Sequence, residues 1–228
     1  MGNSRLKTQN STLPAYAGFV RWGFARFYRE FAFSYDTVAL AVSGGRWFEW
    51  GRAVLPHLAG DALELGCGTG HLQARLVAAG RPAIGVDASP QMLAIARARL
   101  KRLGARPRLA RAQAQALPFP TGAFDTVAAT FPSEYIVDPA TLREIARVLR
   151  PGGRLVVALA ASFGADGAYQ RLVGLLYRAT LQQAPGALAI ARPQSLLGRR
   201  LAEHGFAAEE RWEAAGGGQV HLIVATRV

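Results

Sequence analysis

The stretch "ALELGCGTGHL", residues 62–72, sets Gly66, Gly68 and Gly70 at alternate positions directly after an apolar run. Glycines so placed let a ligand reach the backbone and leave N–H groups free to meet it. A dinucleotide loop is spaced G-x-G-x-x-G, and His71 stands here where its last glycine belongs. Glu64, just ahead of the loop, would repel a pyrophosphate and welcome an ammonium or sulfonium centre. Asp87 ends the next apolar run, where a carboxylate can take a ribose diol bidentately. Together these residues ask for a nucleoside carrying positive charge. The single cysteine, Cys67, excludes an internal disulfide framework and a multi-cysteine metal site, and no metal is expected. Cys67 reads as a small packing residue of the loop or as a nucleophile without a basic partner. His71 either packs the first helical turn or serves as a base.

The elements that must position these residues follow from hydrophobic period. From residue 61 onward, short apolar runs alternate with longer segments of helical spacing, the pattern of a parallel sheet covered by helices. Strands are expected at "DALELG", "PAIGVD", "RPRLARA", "FDTVAATF" and "GRLVVALAA", with helices over 69–79, 89–103 and "ATLREIARVL" between them. Thr69, Ser89 and Asp138 stand where helix caps belong, and Pro90 and Pro139 where a missing N–H costs nothing. Farther on come a helix over 167–183, a break at Pro185–Gly186 and a helix in "PQSLLGRRLAEHG". The runs "FAAEERWEA" and "GQVHLIVATRV", joined by glycines, predict an antiparallel hairpin at a sheet edge.

Four stretches in this order, "LELGCGTG", "VDASPQML", "AQALPFPTGAFDTV" and "LREIARVLRPGGRLVV", resemble the class I S-adenosylmethionine-dependent methyltransferases, within them the branch holding the ubiquinone and menaquinone methyltransferases. The similarity runs over about residues 60–160. It implies a Rossmann-like α/β fold, a seven-stranded mixed sheet of order 3-2-1-4-5-7-6 with the last strand antiparallel and helices on both faces. It implies S-adenosylmethionine as cofactor, with Gly66, Gly68 and Gly70 facing its methionine part and Glu64 near its amino group. Asp87 would bind the ribose, Ala88 and Met92 would line the adenine, and Gln113 and Ala114 would meet the adenine edge. Relatives commonly carry aspartate where Gln113 stands, and its amide carbonyl still accepts a hydrogen bond. Thr130 would touch the methionine or the reacting centre, and Tyr35, in a Tyr35–Asp36 pair, would fold over the cofactor from a lid.

Methyl transfer from a sulfonium needs alignment of the acceptor and exclusion of water, and a base only when the acceptor is protonated. Glu134, Tyr135 and His71 are the candidate bases, and Glu134 reads equally as a solvated loop residue. Residues 1–60 are expected to form a tail and helical lid ahead of a methyltransferase domain over 61–228. In the lid, Val20, Phe24, Phe27 and Phe31 share one helical face, while Trp22, Arg26, Arg29 and Phe33 share another. Arginine mixed with large aromatics suits the headgroup region of an anionic bilayer, so a small hydrophobic or lipid-like acceptor and peripheral membrane contact are expected. Trp47, Phe48 and Trp50 either extend the aromatic surface at the cofactor or anchor the lid to the core.

The chain has 228 residues, a formal charge of +12 and 50% hydrophobic residues, which suits one compact domain drawn to polyanions. Neither a secretory leader nor an apolar run of about 18 residues is visible, and a cytoplasmic location is expected. Seven cations, Arg97, Arg99, Lys101, Arg102, Arg106, Arg108 and Arg111, form a solvated face or a phosphate footprint. An RNA methyltransferase is thus one alternative, although "TFPSEY" lacks the Asn/Asp-Pro-Pro-aromatic loop that holds a flipped base. A nicotinamide oxidoreductase, opposed by His71 and Glu64, and a non-catalytic lipid-binding member of the fold are the others.

Overall fold

The computed structural model describes residues 43–81, 83–163 and 195–228. The expected amphipathic lid helix with Tyr35, the 167–183 helix and the Pro185–Gly186 break lie outside the described residues. A short helix α1 (Trp47–Trp50) runs into a 3-10 turn, Gly51–His57, before the first strand. The sheet is built from β1 (Ala62–Leu65), β2 (Ile84–Asp87), β3 (Leu109–Arg111), β4 (Phe124–Thr130), β5 (Leu149–Phe163), β6 (Phe206–Ala215) and β7 (Gly218–Arg227). The helices between are α2 (His71–Ala78), α3 (Pro90–Arg102), α4 (Pro139–Val148) and α5 (Leu196–Glu203). The strand order is β3-β2-β1-β4-β5-β7-β6; β1 to β5 are parallel and β7 is antiparallel to both its neighbours, as the resemblance implies.

Strand alternation divides the core between the two faces of the sheet. Leu63, Leu65, Val127, Ala129, Leu155 and Val157 meet Leu142 and Ile145 of α4 and Leu197 and Leu201 of α5 on one side. Ala128, Val156, Ala158 and Leu222 meet Leu72 and Leu76 of α2, with Trp50, Val54 and Leu58, on the other. The same period sends Glu64, between Leu63 and Leu65, toward α2. Trp50 is therefore an anchor of the core, together with Val54 and Leu58 of the segment that follows α1.

Ser89 and Asp138 cap their helices as expected, accepting from the N–H groups of Met92 and Ala140. Thr69 does not. The cap of α2 is Gly70, in the left-handed region at φ 80°, because the chain must turn sharply from strand to helix there and only glycine does so without strain. A Cβ on Gly70 would stand 2.8 Å from that of Ala96, so the same glycine lets α2 and α3 approach closely. Strand β5 starts earlier than expected: Leu149 already pairs with Phe124, and a register shift absorbs the Pro-Gly-Gly turn before Arg154 pairs with Thr126. No described helix is long and apolar enough to cross a membrane.

Candidate active site

The carboxyl ends of β1, β2 and β4 open onto a cavity of about 490 Å³, the crevice where open α/β sheets take ligands. Asp87, Ala88, Met92, Gln113 and Ala114 line it from β2, α3 and the segment after β3. Gly66, Gly68, Thr130 and Tyr135 line it from β1 and β4. A smaller pocket of about 70 Å³ adjoins it and takes in Glu64, His71, Trp47 and Phe48. Gly70 lies in neither lining. Glu134 is exposed and also outside both, whereas Ser133 and Tyr135 on either side of it face the larger cavity.

Asp87 Oδ2 accepts the Gly68 N–H at 2.9 Å and Oδ1 accepts the Ser89 N–H at 2.8 Å. These bonds fix the carboxylate across the glycine loop and leave lone pairs on both oxygens for a pair of hydroxyls. Burial raises the Asp87 carboxyl against the lowering effect of these two bonds. Gly66, at φ 65°, lies under the Tyr135 hydroxyl, which donates to the Leu65 carbonyl at 3.2 Å. A Cβ there would sit 2.7 Å from that oxygen, so the position needs glycine for both conformation and space. At Gly68 a Cβ would meet nothing within 4 Å; its missing side chain opens the loop to a ligand.

Glu64 is buried and accepts from Gln73 Nε2 at 2.8 Å. Its carboxyl is pushed up to about 8, mainly by burial and further by the charge of Asp87, with the Gln73 amide opposing. A buried carboxylate with one neutral partner and a negative neighbour is matched by a cation, which is the chemistry of an amino acid's ammonium group. The residues present thus fit S-adenosylmethionine: Glu64 and the smaller pocket for the amino-acid end, Asp87 for the ribose, Ala88, Met92 and Gln113–Ala114 for the base. The segment after β3 is held rigidly. Leu117 N–H donates to Glu144, Arg147 donates to the carbonyls of Leu117 and Phe119, and Gln115 bonds Asp138 of the α4 cap.

Cys67 packs inward, its Sγ 3.1 Å from where a Gly85 Cβ would stand, and burial pushes its thiol up, so it is a packing residue. The His71 ring stacks on Phe48 with centroids 3.5 Å apart. Two residues escaped sequence reasoning. Gln73 had a signal, a polar side chain among the inward positions Leu72 and Leu76 of α2. Phe131 had almost none: it has φ 48°, the one positive value on a non-glycine among the described residues, and lines both cavities. For a bulky residue that conformation costs about 1–3 kcal/mol and concentrates at functional sites. Among the described residues no His, Cys, Asp and Glu cluster is placed to hold a metal.

A family described as "Methyltransferase domain" matches residues 62–153, the span from β1 into β5. The demethylmenaquinone methyltransferase of Thermus thermophilus is 39% identical over 163 residues, covering 68% of this chain and 72% of that protein. The demethylmenaquinone methyltransferase of Mycolicibacterium gilvum is 33% identical over 216 residues, covering 85% and 90%. Among solved structures, a SAM-dependent methyltransferase of Thermotoga maritima shares the fold at a TM-score of 0.61 and 20% identity, covering 89% of this chain and 99% of that one. Fold, glycine loop and relatives agree: the chain belongs to the class I S-adenosylmethionine-dependent methyltransferases of the ubiquinone and menaquinone type, and S-adenosylmethionine is its methyl donor.

Proposed function

We propose that this methyltransferase acts on a small, hydrophobic, quinone-like ring acceptor by direct in-line transfer. The observation that supports the reading is the lining beyond Thr130: Phe131, Pro132 and Tyr135 give the larger cavity apolar ring surface, with the hydroxyls of Ser133 and Tyr135 as the polar groups beside it. The acceptor named for the two bacterial relatives, demethylmenaquinone, has that chemistry.

S-adenosylmethionine, when bound, supplies an activated methyl group on a sulfonium. The chain's own task is to hold it, align the acceptor and keep water out. Glu64 receives the ammonium, Asp87 the ribose diol, and Ala88, Met92 and Gln113–Ala114 enclose the adenine. Thr130 faces the reacting centre. Of the three candidate bases, Tyr135 lines the larger cavity and His71 the smaller one, while Glu134 is exposed outside both. Tyr135 is therefore the group best placed to meet a ring hydroxyl. On this reading residues 1–60 are tail and lid and 61–228 the catalytic domain; of the first segment, Trp50, Val54 and Leu58 lie in the core. Trp22, Arg26, Arg29 and Phe33, arginines among large aromatics in the sequence, would favour contact with an anionic membrane from which an apolar acceptor is drawn.

Methyl-labelled S-adenosylmethionine offered with a demethylated naphthoquinol in detergent, and separately with total RNA, tests the reading. Label in the quinol alone is expected. Label in RNA would favour the run of seven cations from Arg97 to Arg111 as the acceptor-binding surface, and turnover with neither, together with liposome binding, would favour a non-catalytic lipid-binding role.

A further inference from the structure

Four residues are shared by the two cavities: Gly66, Gly68, Thr130 and Phe131. In S-adenosylmethionine the sulfonium is the atom that joins the amino-acid arm to the ribose. With the ammonium at Glu64 in the smaller pocket and the ribose at Asp87 in the larger one, the sulfonium must pass the residues common to both. Two of these four are glycines, and Thr130 brings a methyl group within 3.9 Å of where a Gly51 Cβ would be. Phe131 alone brings an aromatic ring.

The residue is fixed through both its backbone and its ring. The Phe131 N–H donates to the Ala158 carbonyl of β5 at 2.7 Å, the backbone takes φ 48°, and the ring packs on Trp47 with centroids 4.3 Å apart at 38°. A strand running straight on from β4 would send the next side chain to a face of the sheet; the left-handed turn at Phe131 departs from that alternation and leaves the residue on both cavity walls. An aromatic face attracts a cation placed over it, most where water is excluded.

We infer that Phe131 is the sulfonium-facing wall of this enzyme, a residue that discriminates the charged methyl donor from the neutral product and so helps to expel S-adenosylhomocysteine after transfer. Trp47 acts through it as a positioning residue. The inference rests on the cofactor placement given above and is independent of the acceptor.

Calorimetric titration of the full chain with S-adenosylmethionine and with S-adenosylhomocysteine tests it. Phe131→Leu, which keeps an apolar side chain but no ring, is expected to weaken the donor on the order of tenfold and the product by less than about twofold. Phe131→Tyr is expected to keep the wild-type ratio. Should Phe131→Leu not fold, Phe131→Gly gives the same readout, since glycine adopts φ 48° without strain. Equal weakening of both nucleosides, or an unchanged ratio, would overturn the role of Phe131 while leaving the cofactor site standing. A wild-type protein that binds neither nucleoside would overturn both.

Discussion

The two halves of the cavity are made in different ways. Around the ends of β1 and β2 the cavities are lined by glycine backbone and two carboxylates, each held by hydrogen bonds: Asp87 by Gly68 and Ser89, Glu64 by Gln73. Beyond β4 the wall is built mainly from rings, Phe131 packed on Trp47 and Tyr135 lying over Gly66 with its hydroxyl bonded to the Leu65 carbonyl. The first half suits a ligand whose polar groups never change, the second an apolar partner that needs shape and dryness. Cofactor recognition through Asp87 and acceptor recognition through Tyr135 are therefore separable by mutation, with Phe131 on the border between them.

The largest expected separation is at Asp87. Asp87→Ala should weaken S-adenosylhomocysteine binding at least tenfold, on the order of 1.4 kcal/mol or more, and equal affinity in calorimetry would remove the carboxylate from the ribose site. Tyr135→Phe works on the other half. Loss of its hydroxyl should cost about 1 kcal/mol of stability through the bond to the Leu65 carbonyl, and lower kcat and kcat/KM for the acceptor with cofactor affinity nearly unchanged. A parallel loss of cofactor affinity in steady-state and binding assays would join the halves that the geometry separates. Smallest is Ser89→Ala, which takes the cap from α3. It should lower stability by about 1 kcal/mol or less in denaturant unfolding, and no change would mean that Asp87 and Pro90 fix this turn without it.

Glu64 gives the first half a pH signature. Its carboxyl stands at about 8 in the fold against an ordinary 4.5, so between these values the folded protein keeps a proton that the unfolded chain has released. Its contribution to the stability of the cofactor-free protein is accordingly full below 4.5 and is lost as pH rises toward about 8. Glu64→Gln should flatten that part of a stability profile measured by denaturant unfolding.

What was legible in the sequence follows the same division. Spacing alone places Gly66, Gly68, Glu64 and Asp87, because a strand, a tight turn and a helix leave little freedom in how far apart such residues can be. The sheet order came with the resemblance, and the hairpin with the glycines at 216–218. The partnership of Trp47 with Phe131 joins residues far apart in the chain, and a positive φ on phenylalanine has no sequence signature, so that wall was hidden. Thr69 misled for a local reason: a threonine beside a helix start looks like a cap, whereas the left-handed turn at Gly70 takes that position.

With a cationic nucleoside bound between Glu64 and Asp87, as proposed, the ammonium meets a carboxyl that is protonated in the free protein. The most direct test of this docking is the number of protons released when S-adenosylmethionine binds near neutral pH, read by calorimetry in buffers of different ionisation enthalpy. An ammonium docking on Glu64 must ionise a carboxyl that burial keeps protonated, so release approaching about one proton is predicted for the wild type and none for Glu64→Gln. Binding without proton release in the wild type would mean that the ammonium does not dock on Glu64.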